Sequence, residues 1–89
     1  MKKEFTKTWD SGLVDDKGKK VGYRARFIIR GENSMGYKFS AYCYPTRDGK
    51  DYMSSNCTES NDLSELENMI DKKVAKYFKN KKFTKESQD

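Results

Sequence analysis

The sequence predicts an α+β fold: an antiparallel meander of three to four strands with one C-terminal helix packed on one face, in the order ββββα. Three observations predict it. "VGYRARFIIR" and "YKFSAYCYP" alternate with the period of two that a half-buried strand requires. Glycine-bearing stretches, "DDKGKK", "GENSMG" and "TRDGK", separate the extended segments. From Asp62 the apolar period lengthens to three and four, and one helical stripe results. The 89 residues form a single domain, 1–89, with strands over 4–14, 20–30, 37–45 and 50–58, a helix over 62–80 and a frayed tail over 81–89.

The first strand is rich in β-formers, and Gly12 marks a bulge or bend inside it. In the second, Val21, Tyr23, Ala25, Phe27 and Ile29 share one face, and Arg24, Arg26, Ile28 and Arg30 the other. In the third, Tyr37, Phe39, Ala41 and Cys43 oppose Lys38, Ser40, Tyr42 and Tyr44. The hairpin after it has two solutions. Asp48-Gly49 suits a two-residue turn, and Arg47-Asp48-Gly49 suits a three-residue loop. The two differ by one residue of register, which exchanges the faces of the fourth strand. The three-residue loop buries Met53 and Cys57, sets Cys43 opposite Met53, and is the one expected. It makes Tyr44 and Tyr52 cross-strand neighbours on the outer face. No disulfide is expected between Cys43 and Cys57 in that register.

The helix opens with Asp62 as a cap and Glu65 three residues on. Leu63, Leu66, Met69, Ile70, Val74, Tyr77 and Phe78 form its apolar stripe. The core is then Trp9, Val21, Tyr23, Phe27, Ile29, Phe39, Ala41, Cys43 and Met53 against Leu66, Met69, Ile70, Val74 and Tyr77. Phe83, in the tail, has a ring able to dock.

Net charge is +5, and it is distributed as +5 over 1–45, −5 over 46–71 and +5 over 72–89. Part of this is helix design, with acids near the positive end of the macrodipole and lysines near the negative end. The lysines of "DKKVAKYFKNKK" flank a stripe needed to cover the sheet, so a membrane-surface role is not expected. Nothing in the sequence is apolar for the length of a membrane span or patterned as a secretory signal, and a cytoplasmic location with reduced thiols is expected. "NCT" at 56–58 then matches a glycosylation acceptor by chance.

The residue types argue against an enzyme. Histidine is absent, which removes histidine-based triads and the commonest general acid–base group. Cys43 and Cys57 have neither metal-ligand spacing nor partner ligands. Asp15 and Asp16 are adjacent carboxylates, but they stand in a turn beside lysines. "GENSMG" lacks the spacing and the lysine of a phosphate loop. No cofactor and no metal are implied.

What remains is the sheet face that one helix leaves uncovered. In the expected register it carries Arg24, Arg26, Arg30, Lys38, Tyr42, Tyr44 and Tyr52, with Ser40, Ser54, Asn56 and Ile28 and no carboxylate. Arginine forks match phosphate and carboxylate in two-pronged fashion, and tyrosine rings stack on bases. The expected function is therefore that of a small basic binding module that takes nucleic acid on this face. Such an architecture resembles the three-stranded DNA-binding domains of integrases and of the plant AP2 type in outline, with no motif carried over. The alternative is a phage or mobile-element accessory protein that binds and inhibits a host protein or nucleoprotein complex. In style the chain is similar to anti-defence and anti-CRISPR proteins. The uncapped sheet edges allow a monomer or an edge-paired homodimer.

Overall fold

The computed structural model describes residues 3–29, 38–80 and 82–85. The fold is the expected one: an antiparallel sheet with a single C-terminal helix packed against it. Its elements are β1 (Lys3–Val14), β2 (Lys20–Ile29), β3 (Phe39–Arg47), β4 (Lys50–Asp51), β5 (Asn56–Ser60), α1 (Leu63–Phe78) and β6 (Thr84–Lys85). In space the strands run β4-β3-β2-β1-β6, and β5 pairs β3 on the same side as β4.

The β1–β2 hairpin is closed by chemistry legible in "DDKGKK". The Asp15 carboxylate accepts the N–H groups of Lys17 and Lys19, each at 2.9 Å, and Gly18 takes the left-handed φ of +77° that the turn requires. Gly12 does mark a bulge. Asp10 faces Gly22 and Leu13 faces Val21, so Ser11 and Gly12 are extra, with Gly12 at φ +71°. The Ser11 hydroxyl donates to the Val21 carbonyl at 2.7 Å and pins the bulge to β2.

The next hairpin departs from expectation. Arg47 faces Lys50, so the turn is the two-residue Asp48-Gly49 form, with both residues at positive φ. Its physical reason lies outside the hairpin. Asp48 exchanges bonds with Lys20, its N–H donating to the Lys20 carbonyl at 3.0 Å and its carboxylate accepting the Lys20 N–H at 2.8 Å. That latch to the start of β2 fixes Asp48 in the turn. The fourth strand is also broken. Between the pairs Thr46–Asp51 and Cys43–Asn56, β3 advances three residues and its partner five. The two extra residues preserve the parity set by the turn. Thr58 and Ser60 therefore lie on the helix side, and Cys57 and Glu59 on the other. Cys57 and Met53, both expected in the core, are exposed, Met53 at 58%.

The buried core is Tyr23, Ala25, Phe27, Ala41 and Cys43 from the sheet against Leu66, Ile70 and Val74 from the helix, with Trp9, Phe39, Leu63, Tyr77 and Phe78 packed around it. Met69 is 41% exposed, contrary to expectation. It stands one residue, about 100° of helical rotation, from Ile70 at the centre of the buried stripe. Lys73 occupies the flank instead, its ammonium 3.5 Å from the Thr58 hydroxyl. The Asp62 cap forms as read, accepting from the N–H groups of Ser64 and Glu65. Burial and the neighbouring Cys43 thiol push the Tyr23 phenol well above its ordinary pKa.

Residues 82–85 are held by a hub that the sequence did not disclose. Arg47 is 7% exposed. Its guanidinium donates to the Asp15 carboxylate at 3.0 Å, the Tyr77 hydroxyl at 2.8 Å and the Thr46 carbonyl at 3.0 Å. It also lies over the rings of Tyr52, Phe83 and Tyr77, at 4.1, 5.1 and 5.8 Å. Phe83 docks here, and Thr84–Lys85 then pair with Val14 and Leu13 as a short strand where a frayed tail was expected.

Candidate functional site

The face away from the helix is built by β1, β2 and β3, and the register decides which candidate residues meet. Arg26 stands between Thr6 and Tyr42, and Arg24 between Thr8 and Tyr44. Ile28 and its partner Ser40 are buried, at 3% and 2% exposed. They divide the face, so Lys38, which is exposed, is about 13 Å along β3 from Tyr42. The Lys38 N–H is bonded to the Asn61 side chain, which ties the start of β3 to the turn before the helix.

The structure thus separates the seven expected residues. Arg26, Tyr42 and Tyr44 come together. Arg24 is beside them but engaged, bonded to Asp51 at 3.3 Å and to the Gly49 carbonyl at 2.9 Å, so it braces the β3–β4 turn. Lys38 is outside the group. Tyr52 is not a neighbour of Tyr44 and has left the face: its N–H donates to the Pro45 carbonyl while its ring covers Arg47. The reason is the two-residue turn, which sets Tyr52 opposite Pro45 on the helix side of the sheet. Arg30 lies outside the described residues.

What forms is a concavity of about 360 Å³ lined by Arg26, Tyr42, Tyr44, Asp51, Met53, Ser54 and Ser55. The strands supply its floor and the bulge supplies its wall. The Arg26 guanidinium is exposed and lies over the Tyr42 ring at 5.4 Å. A guanidinium so placed keeps its planar fork free on the outer side. Asp51 is turned to Arg24, which leaves Arg26 as the cation of the site. Tyrosine and serine hydroxyls around it can donate or accept. Met53, expected on the helix side, stands here because the two-residue turn exchanges the faces of the segment.

The rest of the face is less basic than the sequence suggested. The true register adds Glu4, Asp10, Asp51 and Glu59 to it. Farther along, Gly22, Thr46, Thr8 and Asp10 border a second concavity of about 410 Å³ beside Lys20 and the Asp48-Gly49 turn. Of the adjacent carboxylates, Asp15 is spent on Arg47. Its carboxyl is held below the ordinary value by the Lys19 N–H first, and also by the Lys17 N–H and Arg47. Among the described residues no cluster of three or more His, Cys, Asp or Glu is placed to hold a metal ion. Nor, among them, is any helix long and apolar enough to cross a membrane.

No protein-family model, curated protein or solved structure matches the chain.

Proposed function

We propose that the chain is a small non-enzymatic binding module of the cytoplasm that takes single-stranded nucleic acid at the Arg26 concavity. A phosphate meets the free side of the Arg26 guanidinium, and a base enters the hollow against Tyr42 and Tyr44. The observation that carries this reading is the exposed guanidinium over the Tyr42 ring at the edge of a 360 Å³ concavity. A cation and a ring at one mouth serve the two chemistries that every nucleotide offers, a charged phosphate and a flat base. The hollow is on the scale of one splayed nucleotide, and its bulged wall rises against a duplex lying flat on the sheet. Two free cysteines, Cys43 and Cys57, fit a reducing compartment.

Fluorescence anisotropy with a labelled oligonucleotide tests the reading. Arg26→Ala and Tyr42→Leu each weaken single-strand binding, by about 1–3 kcal/mol for loss of a stacked ring, and leave the fold intact by circular dichroism. Equal affinities for the wild type and both variants overturn it. The second reading, inhibition of a host protein complex, is favoured by Met53, whose exposed thioether chain on the same wall suits a protein surface. Absence of any nucleic-acid binding at low salt would move the assignment to that reading.

A further inference from the structure

The fold gathers lysines from three separate stretches at one end of the molecule. Lys17 and Lys19 are in the β1–β2 turn, Lys76 and Lys79 close the helix, and Lys82 and Lys85 follow it, all six exposed. The Arg47 hub brings them together. Asp15 anchors the turn to Arg47, Tyr77 anchors the helix end, Phe83 anchors the segment after it, and Lys85 faces Leu13 on β1. The carboxylates at this end are mostly committed. Asp15 is bonded to Arg47, Asp48 to the Lys20 N–H, and Asp51 to Arg24. Asp16 remains beside Lys82 on the wall of a cavity of about 420 Å³. The ion pairs among the described residues are Lys7–Asp71, Arg24–Asp51 and Arg47–Asp15, and none includes these six lysines. The helix dipole accounts for Lys76 and Lys79 alone. The other four come from outside the helix and gather only because the hub folds them there.

We infer that this basic end is a second contact for the phosphate backbone of the same nucleic-acid strand, one that adds affinity without reading bases. The inference rests on the function proposed above and extends it. Six exposed ammonium groups with no ion pair among the described residues hold a counterion-releasing surface, and a polyphosphate is the partner whose charge matches it. The two contacts lie along one strand. From Lys20, next to Lys19 of the β1–β2 turn, β2 runs six residues to Arg26, about 20 Å, and the helix-end lysines lie past that turn on the other side of the sheet. A stacked strand advancing about 3.4 Å per nucleotide needs about six nucleotides to reach the turn from Arg26.

The test is a salt titration of the intact chain with deoxyadenylate oligomers of about three, six and twelve nucleotides. Wild-type affinity rises steeply up to about six nucleotides and slowly beyond. Lys76→Gln/Lys79→Gln/Lys82→Gln removes that rise. It also lowers the log–log salt slope by about 2, so its affinity falls about 20-fold less than that of the wild type between about 50 and 200 mM salt. Lys17→Gln/Lys19→Gln, which leaves the helix untouched, lowers the slope by about 1.4 and guards against a helix-folding artefact. Unchanged slopes in both variants overturn the inference while leaving the Arg26 site standing. Lowered slopes with no effect of Arg26→Ala support the basic end and overturn the concavity instead.

Discussion

Gly22→Ala tests the strand register from a single methyl group. Gly22 sits in β2 between Asp10 of β1 and Thr46 of β3. A Cβ built there lies 2.6 Å from the Thr46 hydroxyl oxygen and 3.0 Å from the Trp9 carbonyl oxygen. Both neighbours resist. Thr46 is 3% exposed, and the Trp9 carbonyl belongs to the backbone of β1. Overpacking of this kind costs about 1–3 kcal/mol. At about 2.1 cal/mol/K per residue, an 89-residue chain has an unfolding entropy near 190 cal/mol/K, so each kcal/mol moves Tm by about 5 °C. Gly22→Ala therefore lowers Tm by about 5–16 °C, measured by circular dichroism, with the urea m-value unchanged. Thr46→Ala in the same chain removes the closer of the two contacts. The pair then shows a coupling of at least about 0.5 kcal/mol in a double-mutant cycle, in the rescuing direction. A Gly22→Ala protein as stable as the wild type, or a cycle without coupling, would refute the placement of β2 between Trp9 and Thr46.

Three further outcomes follow from particular contacts. The Asp15 carboxyl titrates below its ordinary value of 3.8, so its contribution to stability is complete above that pH and is lost as pH falls through the depressed value. Asp15→Asn flattens the acid limb of a stability–pH curve below 3.8, and an unchanged limb would contradict the contacts of Asp15 with the Lys19 and Lys17 N–H groups and Arg47. Cys57 is exposed and Cys43 buried, so a thiol reagent modifies one cysteine at once and the other only on unfolding. Two protected thiols would restore the three-residue hairpin register. Asp62→Ala removes the helix cap and costs about 1 kcal/mol, read as a lower urea midpoint. No change in the midpoint would deny the cap its role.

Legibility in the sequence followed whether a residue's partners were local. Val21 to Ile29 were readable because one face of β2 meets the helix and strict alternation records it. The 63–78 stripe was readable for the same reason, except Met69, whose apolar character is not matched by burial. The segment "KDYMSSNCTES" was not readable. Polar residues fill both parities there, so hydrophobic pattern could not choose between registers, and no pattern marks a two-residue bulge. Arg47 was hidden for a different reason. Its partners Asp15 and Tyr77 are 32 and 30 residues away, and "TRDGK" read alone is only a turn. The site inherits both effects. Arg26, Tyr42 and Tyr44 share a face as the alternation of β2 and β3 implies, whereas Tyr52 leaves it because the turn has two residues, and Arg24 is engaged by an Asp51 that the expected register put on the helix side.

The most direct measurement of the binding function is a backbone-amide chemical-shift map of the chain titrated with a short single-stranded oligonucleotide. The account predicts that the largest changes fall on Arg26, Tyr42, Tyr44, Ser54 and Ser55, with a second set at Lys17, Lys19, Lys79 and Lys82 only when the strand exceeds about six nucleotides. Changes centred on Met69 and the outer helix face, with Arg26 and Tyr42 still, would contradict it.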